Sequence, residues 1–261
     1  MIPVRSEILS AFEVVARKAG AEILKAFRSS SEFRLKDPMQ VLTDADLASH
    51  EILAGFFARD FSEIPLVLEE QENLEPLPKT YFVCDELDGS ALFSRGISDF
   101  SVILGYVENG RPFAGCIYFP ISDSFVFAER GKGAYLDGRR IEFSGSFPLA
   151  KSVISLEINN TLSEDDFSWI FKVVKRAMTS RSLGATGAGF RELLSGGTDL
   201  FLNLNGAKVW DFAAGAVAIE EAGGALLDKN GQSLVWDKIR MSAVIGKDKN
   251  LIGEAFGLKP G

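Results

Sequence analysis

The chain has 261 residues, with 28 Lys and Arg against 36 Asp and Glu, for a net charge of -8. That length suits one large domain or two smaller fused ones. The acidic balance argues against a general binder of nucleic-acid polymer or anionic membrane, but not against a small phosphorylated substrate, because a bound metal reverses the local field.

Charges interrupt each apolar stretch of Met1–Gly20, so no signal-peptide pattern is present. No segment approaches membrane-spanning length, and a cytoplasmic protein is the default expectation. Ile8, Phe12, Val15, Ala19, Ile23 and Phe27 recur at helical steps and predict a long amphipathic first helix. The polar segment Ser29–Gln40 ends it. Thr43 then predicts the N-cap of a second helix carrying Leu47, Leu53, Phe56 and Phe57. A short strand, Pro65–Leu68, runs into Glu69 and Glu70, and the loop Gln71–Thr80 leads to an apolar strand, Tyr81–Asp85. Phe100–Val107 and Pro112–Phe119 flank Glu108-Asn109-Gly110-Arg111, a hairpin signal. Ser124–Glu129, Ala134–Leu136 and Arg139–Phe143 extend this into a largely antiparallel meander stacked on the first two helices.

A second unit is expected to begin near Ser144–Ala150, dividing the chain into 1–145 and 146–261. Val153–Ile158 reads as a strand. Ser163–Met178 reads as a helix with Phe167, Ile170, Phe171 and Val174 inward. Strand Ser180–Leu183, helix Ala188–Leu194, strand Asp199–Leu204 and helix Asp211–Ala222 follow, then strands near Ala225–Leu227 and Ala243–Ile245. Gly223-Gly224 is the helix stop. Alternating strands and helices imply an α/β layered unit after an α+β one.

Cys84 and Cys116 lie on apolar runs and read as buried thiols. The single histidine, His50, removes zinc sites built from several imidazoles and reads as a partly exposed helix-surface residue. Gly133-Ala-Tyr-Leu-Asp-Gly138 lacks the Lys-Ser/Thr of a P-loop, and Gly184-x-x-Gly187-x-Gly189 is no dinucleotide fingerprint.

The informative stretch is Tyr81-Phe-Val-Cys-Asp85-Glu-Leu-Asp88-Gly-Ser90. A buried strand ends in two aspartates three residues apart, and a glycine lets backbone N–H groups approach a ligand. Carboxylates this close repel unless a cation lies between them, and hard oxygen ligands favour magnesium or calcium. Taken alone, Asp85 or Asp88 could equally make an Asx-turn or a helix cap. Further acidic sites are Thr43-Asp44-Ala45-Asp46, Glu69-Glu70 and Trp210-Asp211-Phe-Ala-Ala-Gly215, where Asp211 alone reads first as a helix cap.

Together and in this order, these motifs resemble the inositol monophosphatase family of metal-dependent phosphatases. Thr43-Asp44-Ala45-Asp46 is similar to its T-x-x-D element and Leu68-Glu69-Glu70 to its G-E-E. Asp85-Glu-Leu-Asp88-Gly-Ser90 resembles D-P-[IL]-D-G-[ST], and Trp210-Asp211-Phe-Ala-Ala-Gly215 with Glu221-Ala-Gly-Gly224 resembles its second signature. Tyr118-Phe-Pro120 and Gly131-Lys-Gly-Ala134 match the central β region. The chain departs at Glu86, where the family has proline, at Leu92, where it has asparagine, and at Leu68, where it has glycine.

The resemblance implies an αβαβα sandwich, a homodimer, and magnesium-dependent hydrolysis of a sugar or polyol phosphate monoester. Two or three Mg2+ are implied, with Mn2+ as a substitute. Glu69, Asp85 and the Leu87 carbonyl would hold one ion. Asp85, Asp88 and Asp211 would hold another. Ser90 would orient the attacking water with Asp46 accepting its hydroxyl hydrogen, and Glu69 is counted with them as catalytic. Backbone N–H groups of Gly89, Ser90 and Ala91 would cradle the phosphate. Gly184, Ala185, Thr186, Asn203 and Asp211 would line the alcohol side, with Asn205, Arg191 and Lys208 as further candidates. Two alternatives stay open: a nucleotide 3'-phosphatase, and a non-catalytic homologue.

Overall fold

The computed structural model describes residues 6–28, 33–37, 40–73, 75–145 and 147–260. The helices are α1 (Glu7–Arg28), α2 (Asp44–Asp60), α3 (Ser90–Phe93), α4 (Glu164–Arg176), α5 (Thr186–Ser195), α6 (Val209–Glu221) and α7 (Lys249–Phe256). The strands are β1 (Phe33–Asp37), β2 (Gln40–Thr43), β3 (Leu66–Leu68), β4 (Tyr81–Asp88), β5 (Ser101–Glu108), β6 (Arg111–Phe119), β7 (Ser124–Glu129), β8 (Gly133–Leu136), β9 (Arg139–Ile141), β10 (Val153–Leu156), β11 (Thr179–Ser182), β12 (Leu200–Asn203), β13 (Ala225–Leu227) and β14 (Ala243–Gly246).

β3 to β9 form a seven-stranded sheet in chain order, antiparallel except for the β3–β4 pair. β1 and β2 pair separately as an antiparallel ribbon. A five-stranded sheet has the order β11-β10-β12-β14-β13, with β10 parallel to both of its neighbours.

The layering follows from which residues each strand turns to each side. On the seven-stranded sheet, Phe82, Cys84, Val102, Leu104 and Cys116 meet Phe12, Val15, Ile23, Leu53 and Phe57 of α1 and α2. The intervening residues Val83, Ile103 and Ile117 meet α5 and α6, in one core with Phe190, Phe212 and Val217. That core continues into Phe201 and Ile245 of the five-stranded sheet. Its other face, with Leu200, Leu202 and Val244, packs on Trp169, Ile170 and Val173 of α4 and Leu251 of α7. The result is the αβαβα sandwich expected from the resemblance. Period-two alternation on strands buried on both faces builds it.

α6 lies close against the large sheet at two glycines. Gly105 and Gly115 face each other across β5 and β6. A Cβ at Gly115 would fall 2.5 Å from Ala214 Cα, and one at Gly105 would fall 2.8 Å from the Ala213 Cβ. Glycines on the sheet and the Ala213-Ala214 pair on the helix are the fit that lets Asp211 approach the end of β4.

Several expectations change. In α4, Trp169, Ile170 and Val173 are buried, whereas Phe167 and Phe171 stand exposed. The apolar stripe is rotated because the larger Trp169 ring takes the core position and donates its indole N–H to the Ala255 carbonyl at 2.8 Å. The helix stops at Arg176, leaving Met178 exposed, and Leu47 of α2 is exposed as well. The polar segment Ser29–Gln40 contains most of the β1–β2 ribbon; residues 29–32 and 38–39 lie outside the described residues. So does Ser146, inside the expected boundary at Ser144–Ala150. α7 had no counterpart in the sequence reading. Both cysteines are buried and neither is in a disulfide. Among the described residues no helix is long and apolar enough to cross a membrane.

Candidate active site

The site starts from an irregularity in β4. Asp85 pairs with Ile103 and Asp88 with Ser101, so three steps on β4 match two on β5. This is a β-bulge, one extra residue in one strand. In a regular strand, residues three apart point to opposite faces. The bulge brings Asp85 and Asp88 round to one side, and the Leu87 N–H closes onto Asp85 Oδ1 at 3.0 Å.

Asp211, in the first turn of α6, completes the cluster. Asp85, Asp88 and Asp211 each offer a carboxylate oxygen, and these lie within 4.8 Å of one another. They border a cleft of about 180 Å³ that is also lined by Glu69, Leu87, Gly89, Ser90, Glu157, Asn159, Thr186, Asn203, Lys208 and Trp210. Asp211 accepts the Lys208 backbone N–H as well, so it caps its helix and faces the cleft at once.

Asp88 also reaches across the layers. Its oxygens accept the backbone N–H groups of Thr186 and Gly187, both at 2.9 Å, and the Ser101 hydroxyl at 2.8 Å. The residue before α5, Ala185, offers no side-chain cap, and Asp88 supplies one from another layer. Gly187 is required there, because a Cβ would fall 2.2 Å from Ser101 Oγ and 2.8 Å from Asp88 Oδ2.

Burial drives the ionisation of these groups, and their mutual repulsion adds to it. Burial, then the charges of Glu69, Asp88 and Asp211, pushes Asp85 well above the usual carboxylate range. Burial raises Asp88 to about 6, against the pull of its Ser101 and backbone bonds. Burial and then Asp88 raise Asp211 to about 7. A set of buried hard oxygens that resists ionisation fits a divalent cation, which would remove the repulsion.

Glu69 and Glu70 separate in the groups they face. Glu69 lines the cleft, and its charge acts on Asp85. Glu70 acts instead on Asp46, which burial raises to about 6. Asp46 Oδ2 is committed to Thr43, accepting its backbone N–H at 2.6 Å and its hydroxyl, in a capping box at the start of α2. Among the described residues no hydrogen bond joins Asp46 to Ser90, and Asp46 is not among those bordering the cleft.

The departure at Glu86 has a structural role. Its side chain is buried and turned away from the cleft. Oε2 accepts the Glu69 N–H at 3.1 Å; Oε1 accepts the Glu70 N–H at 3.2 Å and lies 2.8 Å from His50 Nδ1. Ser49 Oγ holds the Glu86 carbonyl at 2.7 Å. His50, read as a partly exposed surface residue, thus belongs to the support of the Glu69-Glu70 turn. Leu92 packs 3.5 Å from the position a Gly184 Cβ would take, an apolar contact in place of an amide.

The remaining expected residues divide. Gly89, with φ of +84°, starts α3 beside Ser90 in the cleft. Ala91 is exposed one residue further on. Thr186 and Asn203 line the cleft and are joined by Asn203 Nδ2 to Thr186 Oγ1 at 3.1 Å. Ala185 is buried beside them and Gly184 is exposed. Asn205 turns its Nδ2 to the Thr161 carbonyl instead. Arg191 stacks 4.0 Å over the Phe119 ring. The sequence reading missed Glu157, which stands just past the end of β10 and is 8 % exposed. Its signal was an acid closing an apolar run, as Asp85 closes Tyr81–Cys84. Burial, then Asp88 and Asp211, raises it to about 8.

The model of the inositol monophosphatase family matches residues 4–255. A tomato (Solanum lycopersicum) protein, inositol monophosphatase 2, is 27% identical over 237 residues, covering 87% of this chain and 89% of its own. The Nus factor SuhB of Pasteurella multocida is 29% identical over 222 residues, 83% of each chain. Among solved structures, the extragenic suppressor protein suhB of Bartonella henselae superposes with a TM-score of 0.88 at 26% identity, over 98% of this chain and 100% of that one.

Proposed function

The chain belongs to the inositol monophosphatase family, and from that premise we propose that it hydrolyses a phosphate monoester of a small polyol or sugar, of the inositol monophosphate or fructose 1,6-bisphosphate type, with magnesium. The family match together with the acid cluster supports a metal-dependent phosphomonoesterase. The single observation that carries the reading is the convergence of Asp85, Asp88 and Asp211 within 4.8 Å.

In this reading Glu69, Asp85 and the Leu87 carbonyl would hold one ion, and Asp85, Asp88 and Asp211 another, of two or three Mg2+ in all, with Mn2+ as a substitute. Bound there, they would supply a more acidic water and compensation of charge on the leaving oxygen. The protein supplies position and compensation of charge, which is most of what phosphoryl transfer asks of it. Glu69 draws its fixed position from the Glu86 bonds to its turn. Ser90, at the start of α3, would orient the attacking water; Asp46, the acceptor expected for its hydroxyl hydrogen, makes no hydrogen bond to it among the described residues. The N–H groups of Gly89, Ser90 and Ala91, in a first helical turn without intrahelical partners, face the phosphate. Gly184, Ala185, Thr186, Asn203 and Asp211 take the alcohol side. A homodimer in the cytoplasm belongs to the same reading.

A panel of inositol monophosphate, fructose 1,6-bisphosphate and 3'-phosphoadenosine 5'-phosphate, assayed with Mg2+ and with chelator, tests it. We expect magnesium-dependent release of phosphate from one of the first two. Release only from the nucleotide, or from none of the three, overturns it.

A further inference from the structure

We propose that Glu157 is a further acceptor for hydroxyl groups of a polyol substrate, beside Asn203, which the phosphatase reading above already places on the alcohol side; the inference rests on that reading and names the part of the substrate that Glu157 sees. Three observations converge. First, both side chains are buried and border the cleft, with Glu157 8 % and Asn203 2 % exposed. Second, each carries an oxygen without a partner, Glu157 Oε1 and Asn203 Oδ1. Buried acceptors left unpaired are rare and costly, so a pair of them at a cleft marks missing donors.

Third, the strand register makes them neighbours. β10 and β12 run parallel with Leu156 opposite Leu202, and the Glu157 N–H continues the ladder to the Leu202 carbonyl at 2.9 Å. The next residues along, Glu157 and Asn203, therefore lie side by side on one face, at the carboxyl ends of parallel strands where α/β sheets bind ligands.

The unpartnered oxygens decide the chemistry. The Asn203 amide nitrogen is already given to Thr186 Oγ1, which fixes Oδ1 as the atom left over. It needs a donor. Glu157 needs a donor when ionised and either a donor or an acceptor when protonated. A hydroxyl meets both states, whereas a phosphate or carboxylate oxygen meets neither Asn203 nor an ionised Glu157. The ligand face opposite these two residues thus carries at least two hydroxyls.

The test compares wild type, E157A and E157Q on myo-inositol 1-phosphate and on p-nitrophenyl phosphate, whose alcohol part has no hydroxyl to offer. E157A should lose about 10-fold or more in kcat/KM on the inositol ester beyond its loss on the aryl ester, chiefly through KM, and E157Q should recover part of it. Equal losses on both esters, or no loss, would show a structural carboxylate or a water-filled niche and overturn the assignment. Calorimetric titration with myo-inositol in Mg2+ separates the two readings. If wild type turns over no ester, the phosphatase reading fails; binding of the polyol that E157A weakens still upholds Glu157, and binding that it leaves unchanged rejects it.

Discussion

His50 Nδ1 lies 2.8 Å from Glu86 Oε1, and the same carboxylate accepts the backbone N–H groups of both Glu69 and Glu70. The turn that carries Glu69 is therefore held from behind by a residue that the family signature replaces with proline. Removing the carboxylate takes this acceptor from the Glu70 N–H and leaves the Glu69 N–H its longer bond to the Cys84 carbonyl, at 3.3 Å. Glu86→Ala should cost about 2 kcal/mol in stability and weaken Mg2+ binding, while Glu86→Gln, which keeps one acceptor oxygen, should cost less than half of that. Glu86→Pro should behave like the alanine variant, although it restores the signature. Denaturant midpoints and Mg2+ titration of the three proteins check the order. A proline variant as stable as wild type would contradict it.

Asp88→Asn is expected to reduce turnover by at least about 100-fold, through loss of a charge in the cluster. It should not leave the fold untouched. Asp88 Oδ2 accepts from both Gly187 and Ser101, and Oδ1 from Thr186. An amide must turn its NH2 toward at least one of these donors, so about 1–3 kcal/mol of stability should go as well. Thermal melts beside phosphate-release assays separate the two losses. Full activity in the variant would remove Asp88 from the mechanism.

Gly187→Ala should destabilise the protein by about 1–3 kcal/mol, since its new Cβ meets Ser101 Oγ and Asp88 Oδ2 at impossible distances. Adding Ser101→Ala removes the nearer obstacle and should return part of the loss. The double-mutant cycle reads this directly, and strict additivity would refute the steric account.

The pH dependence of the ion-free protein has a definite sign. Burial raises Asp88 to about 6 and, with the Asp88 charge, Asp211 to about 7; Asp46 and Glu157 shift the same way. An unfolded aspartate titrates near ~3.9, so the folded chain holds these protons more tightly. Stability from this source is complete below that value and is lost as pH rises through about 6 and 7. The Tm in chelator should therefore fall between about pH 5 and about pH 8, and added Mg2+ should raise it more at the upper end. A magnesium shift equal at both ends would contradict the repulsion described for the cluster.

Much of the site was legible because acids closing apolar runs are conspicuous. Asp85 and Asp88 carry that cue, yet alone they read equally as turn or cap residues and Asp211 first as a helix cap; the order of all the acidic motifs, and the family pattern it resembles, joined them. The bulge that turns Asp85 and Asp88 to one side was not legible, since it is set by pairing with a strand more than ten residues away. Glu86 was seen only as an oddity, because its partners, the Glu69 and Glu70 amides and His50, are distant in sequence. Phe167 and Phe171 misled the helix phase: four aromatic or branched residues fit a stripe, but Trp169 displaced it with a larger ring and a buried indole bond. Glu157 was overlooked because its run was read as ending one residue beyond it, at Ile158.

Asp88 is shared between two tasks that compete for its lone pairs: it secures the start of α5 and it belongs to the trio of converging acids. Thermodynamic reciprocity then couples them. Whatever draws its oxygens toward the cleft must alter the grip on Thr186 and Gly187, so ion loading should be audible at the seam between the two sheets. Amide deuterium uptake at those two positions is where that conversation would first be heard.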